Sequence, residues 1–215
     1  MNMQKELISV IIPVYKHEKE LGLALESIKK QTYTNVEVII EKDELREGAP
    51  VMRNRGLEKA KGDYVIFWDA DVVAEPEMLE KLKNILDNNS EVSFVYCNYY
   101  FGKKKMSARK FDAQELKKNN YIHSTSLIRK KDAVKWDESL KRFQDWDLWL
   151  VMFEQGKSGV LVNEYLFKII AKGTISSWLP KCAYKKPWKY LPGIKSRVEK
   201  YYKAREVIVK KHHLI

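Results

Sequence analysis

A chain of 215 residues with 45% hydrophobic and 12% aromatic side chains can bury a core of its own as one domain, with or without an appendage, and needs no disulfide staples. Its only cysteines, Cys97 and Cys182, form neither a disulfide framework nor a zinc-ligand spacing, and no apolar run approaches the ~18 residues of a membrane span, so a reducing, cytoplasmic location is expected. The formal charge of +11 lies wholly at one end: residues 168–215 carry 13 Lys and Arg against only Glu199 and Glu206, while residues 1–167 are balanced. A neutral body with a basic end points to an anionic partner for that end, such as a membrane surface, a lipid diphosphate or a nucleic acid.

In chain order, Ser9 to Tyr15 reads as a short buried strand ending at Pro13; interrupted by that proline and lacking a basic flank, the run is not read as a signal peptide. A helix follows from about Glu18 to Lys30, with Leu21, Leu25 and Ile28 on one face, and then a second strand, Val36 to Ile40. Pro50 suits the first turn of a helix running to about Lys61, with Gly62 as its terminator. Tyr64 to Trp68 is apolar throughout, as expected of a strand buried on both faces. It ends in Asp69-Ala70-Asp71. On extended backbone, residues i and i+2 face the same side, and ligands of open α/β sheets bind at the carboxyl ends of strands. Two hard carboxylates there suit Mg²⁺ or Mn²⁺, whose shell is completed by water and substrate phosphates. Taken alone, the same pair reads more readily as acids ending a strand in a solvated turn, and the rest of the chain has to decide between the two.

A helix from about Pro76 to Asp87 and a strand from Val92 to Tyr96 complete a β-α-β-α-β-α-β pattern, which predicts a parallel sheet with helices on both faces. The second half is less regular. Phe101 to Lys110 reads as a basic loop, Asp112 as the N-cap of a short helix to Asn119, Tyr121 to Ile128 as a strand, and Lys130 to Lys135 as a helical turn. Gln144 opens a helix running to about Gln155, ended by Gly156, and Gly159 to Val162 is a last short strand. From Trp178 onward, Trp178, Pro180, Tyr184, Pro187, Trp188, Tyr190 and Pro192 are interleaved with lysines before a helix from about Ile194 to Lys211. Aromatics and lysines on an amphipathic element suit a membrane interface; Val198, Tyr201 and Ile208 at helical spacing equally suit docking on the core, and one helix can do both.

The ordered set of motifs resembles family-2 glycosyltransferases, inverting enzymes of the GT-A fold that use nucleotide sugars. The likeness runs over about residues 7 to 170. It rests on Val10 to Tyr15, Ser27-Ile28 through Gln31, Val36 to Ile40, Met52 to Gly56, Gly62 to Tyr64, the Asp69-Ala70-Asp71 strand end, and Trp136 to Leu140 followed by Gln144 to Leu150. The resemblance implies an α/β, mostly parallel central sheet flanked by helices. Its catalytic domain would span 1–175, with a nucleotide-binding half at 1–100 and an acceptor-binding half at 101–175. A basic aromatic and helical extension would follow at 176–215.

The resemblance also implies roles. Tyr15 stacks on the nucleobase, with Pro13 beside it; Asp43 accepts a hydrogen bond from base or ribose; Arg53 and Asn54 line the nucleotide pocket. Asp71 is the direct ligand of Mn²⁺ or Mg²⁺, Asp69 contacts ribose or metal-bound water, and Ala70 lies between them. Asp145 is the base that deprotonates the acceptor hydroxyl, with Gln144, Trp146 and His123 on the acceptor side. The chain departs from the family at Lys42, at Glu44-Leu45, at Gln144 where a Glu is usual, and at Lys172-Gly173-Thr174 where a His often completes the metal shell. Lys172 is a candidate phosphate contact there. The Gln-x-x-Arg-Trp signature of processive synthases is absent, which favours one addition per acceptor. The expected partners are a nucleotide-sugar donor, by resemblance a UDP-sugar, a glycan or lipid-linked acceptor, and an anionic membrane surface for residues 178–215. Two rivals are a sugar-phosphate nucleotidyltransferase, for which Tyr15 to Glu18 offers no glycine-rich phosphate loop, and a nucleotide-sugar-binding protein without turnover, suggested by Gln144. A nucleic-acid binder is disfavoured by the neutral body and the sheet-end carboxylates.

Overall fold

A computed structural model describes residues 6–16, 18–170, 179, 181–184, 187–191 and 193–214. The elements run β1 (Ile8–Val14), α1 (Glu18–Lys29), β2 (Val36–Lys42), α2 (Ala49–Lys59), β3 (Tyr64–Phe67), β4 (Val72–Ala74), α3 (Met78–Asp87), β5 (Phe94–Phe101), β6 (Lys104–Met106), α4 (Ala113–Lys118), β7 (Leu127–Arg129), α5 (Gln144–Glu154), β8 (Gly159–Ile169) and α6 (Ile194–Lys211). Strand order across the sheet is β2-β1-β3-β7-β5-β8-β4, with β6 paired to β5.

Side chains alternate between two cores. Ile8, Val10 and Ile12 of β1, with Tyr64 and Ile66 of β3, pack under α1 and α3. Ile11, Val65 and Phe67 face the opposite core, with Trp146 and Trp149 of α5. Burial on both faces is the reason these strands read as unbroken apolar runs. At Gly56 of α2 a Cβ would stand 2.3 Å from Ile11 Cγ2, so only glycine lets the helix sit this close to β1.

The α/β class expected of the sequence is the class observed, with a mixed sheet inside it. β1 pairs in parallel with β2 and β3, and β5 with β8. β5 also runs parallel to β3, as the β-α-β pattern demands, but antiparallel β7 is inserted between them, with Val65 opposite Ile128 and Ile128 opposite Phe94. Residues 121–126, expected to be strand, are not. Asn120 Nδ2 donates to Ile122 O, Ile122 N to Asn120 Oδ1, Thr125 N to His123 Nδ1, and Ser126 Oγ to His123 O. Such side-chain bonds compete with a ladder and leave a shaped loop instead. The basic loop after Phe101 holds β6, joined to β5 by a two-residue turn whose first residue, Gly102, takes φ 57°. β8 continues to Ile169 because β5 and β4 flank it on both sides. Pro13 is tolerated inside β1 because the β3 ladder stops at Ile11, so no bond on that side needs its missing N–H.

The basic C-terminal helix docks on the body. Ile208 and Val198 are buried. His212 Nε2 lies 2.7 Å from Asp147 Oδ1, and its Nδ1 2.8 Å from Glu154 Oε1, so α6 is clamped to α5. Lys211 Nζ reaches both Asp137 and Asp147 at 2.7 Å, and Tyr201 packs edge-on against Phe143. Trp188, Tyr190, Leu191 and Tyr202 stay exposed on the same extension. Trp178, Pro180 and Pro192 lie outside the described residues. No helix among the described residues is long and apolar enough to cross a membrane.

Candidate active site

β1 and β2 run past the end of β3, and the gap is a cleft of about 240 Å³. Pro13, Val14, Tyr15, Asp43, Ala49, Met52, Asp69, Ala70 and Asp71 line it. Its floor is the segment after β3, which is a turn and not the extended strand expected from an i, i+2 pair. Val72 N donates to Asp69 O at 3.0 Å, closing it. Trp68 N binds Ile11 O, Trp68 Nε1 binds Val72 O, and Ile170 N binds Asp71 O, so the turn is pinned from several sides. Both carboxylates still border one cleft, by turn geometry and not by strand periodicity.

Tyr15 is 39% exposed at the rim, with Lys16 Nζ 5.3 Å from its ring centre. Behind it lies a second hollow of about 520 Å³, bordered by Lys16, Lys42 and Arg46 as well as Asp43 and Glu44. The Asp43 carboxylate accepts from Glu47 N at 2.7 Å and Gly48 N at 2.9 Å, which shapes the loop from β2 into α2. The segment that replaces the family's usual small residues is therefore ordered by Asp43 itself.

Asp69 is bound by Arg53, Nη2 to Oδ1 at 2.6 Å, and by Ser124 Oγ at 3.3 Å. Burial by itself would raise the Asp69 carboxyl; the Arg53 guanidinium overcomes it and holds the group below the usual carboxylate range. Asn54, expected in the nucleotide pocket, is not brought to the cleft. Its amide donates to Trp136 O and Glu138 Oε1 and accepts from Trp136 N, stitching α2 to the loop before α5.

Across Arg53 lies the start of α5. Phe143 caps it in the left-handed region at φ 57°, an unfavourable place for a bulky side chain. Asp145 Oδ2 accepts from Asn120 Nδ2 at 2.7 Å and Oδ1 from Trp146 N at 2.9 Å. Burial raises the Asp145 carboxyl above its ordinary value, with only partial relief from these bonds and from Arg53, which makes it a stronger base than a surface aspartate. His123 Nδ1 accepts from Thr125 N, and its ring packs 4.8 Å from Tyr99 and 5.1 Å from Phe167. Burial lowers His123 to about 4, so the ring is neutral at pH 7. Trp146, expected on the acceptor side, is fully buried and donates to Leu116 O; it belongs to the core because the next side chain along the helix, about 100° round from Asp145, points inward. Asn120, Ser124 and Tyr99 join the site unannounced by any sequence pattern. Lys172 lies outside the described residues.

A divalent cation at the turn would take its donors from Asp71 with Asp69. Among the described residues there is no group of three His, Cys, Asp or Glu side chains that would cage a metal. One or two carboxylates, with the remainder of the shell from water and phosphate, is the usual donor set for Mg²⁺, so these residues fit such an ion bound together with a nucleotide.

Comparison with known proteins identifies the family and the fold. The sequence profile of Glycosyl transferase family 2 matches residues 9–49 and 43–140. An uncharacterized glycosyltransferase of Methanocaldococcus jannaschii is 27% identical over 206 residues, covering 77% of this chain and 71% of the relative. Another, from Haemophilus influenzae, is 26% identical over 210 residues, covering 81% and 82%. S. aureus TarS 1–349 in complex with UDP-GlcNAc superposes with a TM-score of 0.70 at 15% identity, over 94% of this chain and 65% of that one. The mannosyltransferase PcManGT from Pyrobaculum calidifontis, in complex with GDP-Man and Mn²⁺, gives 0.63 at 13% identity, over 97% and 76%. With motifs, profile and fold in agreement, the chain belongs to glycosyl transferase family 2.

Proposed function

We propose that the protein moves one sugar at a time from a nucleoside-diphosphate donor, a UDP-sugar in the first instance, to a hydroxyl of a glycan or lipid-linked acceptor, with inversion at the anomeric carbon. The observation that carries this reading is the meeting of two carboxylate sites across one guanidinium: the Asp69–Asp71 turn on one side of Arg53 and Asp145 on the other. The half at 1–100 takes the nucleotide. Tyr15 offers its ring to the base, Asp43 borders the same cleft, and Asp71 leads a Mn²⁺ or Mg²⁺ site with Asp69 as its partner. The bound ion supplies charge neutralisation for the diphosphate.

The half at 101–175 takes the acceptor, near His123, Gln144 and Asp145. The acceptor oxygen attacks the anomeric carbon from the face opposite the diphosphate; the new C–O bond forms as the old one breaks. Asp145 takes the hydroxyl proton, a task for which its raised pKa suits it. Neutral His123 can donate or accept a hydrogen bond without adding charge. The basic extension, with Trp188, Tyr190, Leu191 and Tyr202 exposed, sits against an anionic cytoplasmic membrane face while its other side stays docked.

A thermal-shift panel of nucleotides and sugar nucleotides, with and without Mn²⁺, tests the reading. Stabilisation by one nucleoside diphosphate and its sugar, enhanced by the ion, is expected; no stabilisation by any member contradicts it. Product analysis with the stabilising donor then separates a transferase from a binding protein without turnover.

A further inference from the structure

Arg53 is 7% exposed and stands between the two halves of the site. One terminal nitrogen is 2.6 Å from Asp69 Oδ1, the other donates to Gln144 Oε1 at 3.3 Å, and the guanidinium lies 4.3 Å over the Trp136 ring. Its buried Nε has no hydrogen-bond partner among the described residues. Gln144 is itself anchored, its Nε2 donating to Leu140 O at 2.9 Å, and the residue before it, Phe143, is held in the left-handed region. An orphaned buried N–H and a left-handed Phe are both unfavourable, and they persist only where the surroundings over-determine the geometry. Arg53 does not border the cleft of Tyr15, Asp43 and Asp71, and Asp69 already meets its charge. A phosphate ligand would need the opposite: a cation facing the cleft with its N–H groups free.

We propose that Arg53 is a positioning residue that ties the donor-side turn to the acceptor-side helix, one planar fork spanning Asp69 and Gln144 so that Asp145 is held at a fixed offset from the donor. The inference rests on the assignment of Asp69–Asp71 to the donor and Asp145 to the acceptor. It gives the neutral Gln144 a purpose. An amide accepts one N–H of the guanidinium without competing for its charge, whereas a carboxylate at 144 would draw Arg53 away from Asp69. A lysine at 53 keeps the charge but has a single nitrogen and cannot span both partners.

The test uses the full chain and three variants: Arg53→Lys, Gln144→Ala and the pair together. Calorimetry with UDP or GDP plus Mn²⁺ measures nucleotide affinity; release of nucleoside diphosphate from UDP-GlcNAc and GDP-mannose at saturating donor measures turnover. Arg53→Lys is expected to keep affinity within about threefold and to lose turnover by ~10²-fold, the scale set by an ångström of misplacement, with Gln144→Ala behaving alike. A tenfold loss of affinity at unchanged turnover would make Arg53 a phosphate ligand and overturn the proposal, as would full turnover in Arg53→Lys. If the wild-type chain binds neither nucleotide, or turns over neither sugar nucleotide, that result bears on the transferase reading, and a urea-unfolding cycle over the same variants decides the tie. Losses that simply sum overturn it; a double variant no worse than the poorer single sustains it.

Discussion

The turn at Asp69–Asp71 and the first turn of α5 each present an aspartate to the same space, and their surroundings push the two acids apart. Asp69 has a buried guanidinium at 2.6 Å, which outweighs the effect of its own burial and keeps it firmly ionised. Asp145 accepts instead from neutral donors, the Asn120 amide and the Trp146 N–H among the described residues, and burial prevails. On the proposed reading, one residue type is thereby made suitable for two tasks, a permanent anion on the donor side and a base able to take a proton on the acceptor side. The contrast extends outward. The donor side is built on consecutive parallel strands, whereas the acceptor side is assembled from a non-ladder loop, a strained helix start and a docked C-terminal helix.

The sharpest way to break the contrast is to remove the base. Asp145→Asn is expected to cut transfer by about 10²–10⁴-fold while nucleotide affinity by calorimetry stays near wild type. Because the Asp145 carboxyl is raised, wild-type transfer falls as pH drops through that raised value, and a pH–rate profile of the Asn variant should lack this acid limb. On the donor side the pattern reverses. Asp71→Ala should weaken Mn²⁺-dependent UDP binding by roughly 10-fold or more, and unchanged affinity in a titration would remove Asp71 from the metal site.

Between these in kind is the clamp of α6. Burial works against a proton on His212, but the hydrogen-bonded carboxylates of Asp147 and Glu154 prevail and raise it. Its contribution is therefore complete below the unfolded histidine value near 6.5 and is lost as pH rises through the higher folded one. His212→Gln should cost about 1–3 kcal/mol at pH 6 and less at pH 9, read as converging thermal midpoints. A gap that does not narrow with pH would mean that packing alone holds the helix. The mildest change is Lys200→Gln with Lys203→Gln, both exposed. Each is expected to weaken sedimentation with anionic liposomes by about 1 kcal/mol, leaving the fold unchanged. Binding that survives intact would return the tail to a purely structural role.

Much of the donor side was legible along the chain because its cues are local. Apolar runs buried on both faces and Pro50 at a helix start act through neighbouring backbone. Gly62 does not end that helix, which stops at Lys59 with Ala60 as its cap; a Cβ at Gly62 would instead stand 2.5 Å from Leu7 O. Asp112 was likewise readable as a cap, and it accepts from Gln114 N and Glu115 N. The insertion of β7 between β3 and β5 was not legible, because strand order is set by which buried faces meet and no local signal encodes it. Residues 121–126 misled for a related reason: their β-rich composition is overridden by the bonds of Asn120, His123 and Ser126 to nearby backbone. Trp146 adjoins Asp145 in sequence and is turned away from it in space, and Asn54 adjoins Arg53 and binds a different segment.

By itself the sequence determined that an α/β chain of this class would bring Tyr15, Asp43, Asp69 and Asp71 to strand ends, and that its positive charge would gather in the tail. Periodicity, turn residues and charge are properties of contiguous residues, so a linear reading recovers them. Only the tertiary structure decided that Arg53 faces Asp69 and Gln144 together, that Asn120 meets Asp145, and that His212 locks the basic helix against α5. Those pairs are 16, 91, 25 and 65 residues apart along the chain. At such separations the partner of a side chain is chosen by packing and desolvation, which no single stretch of sequence records.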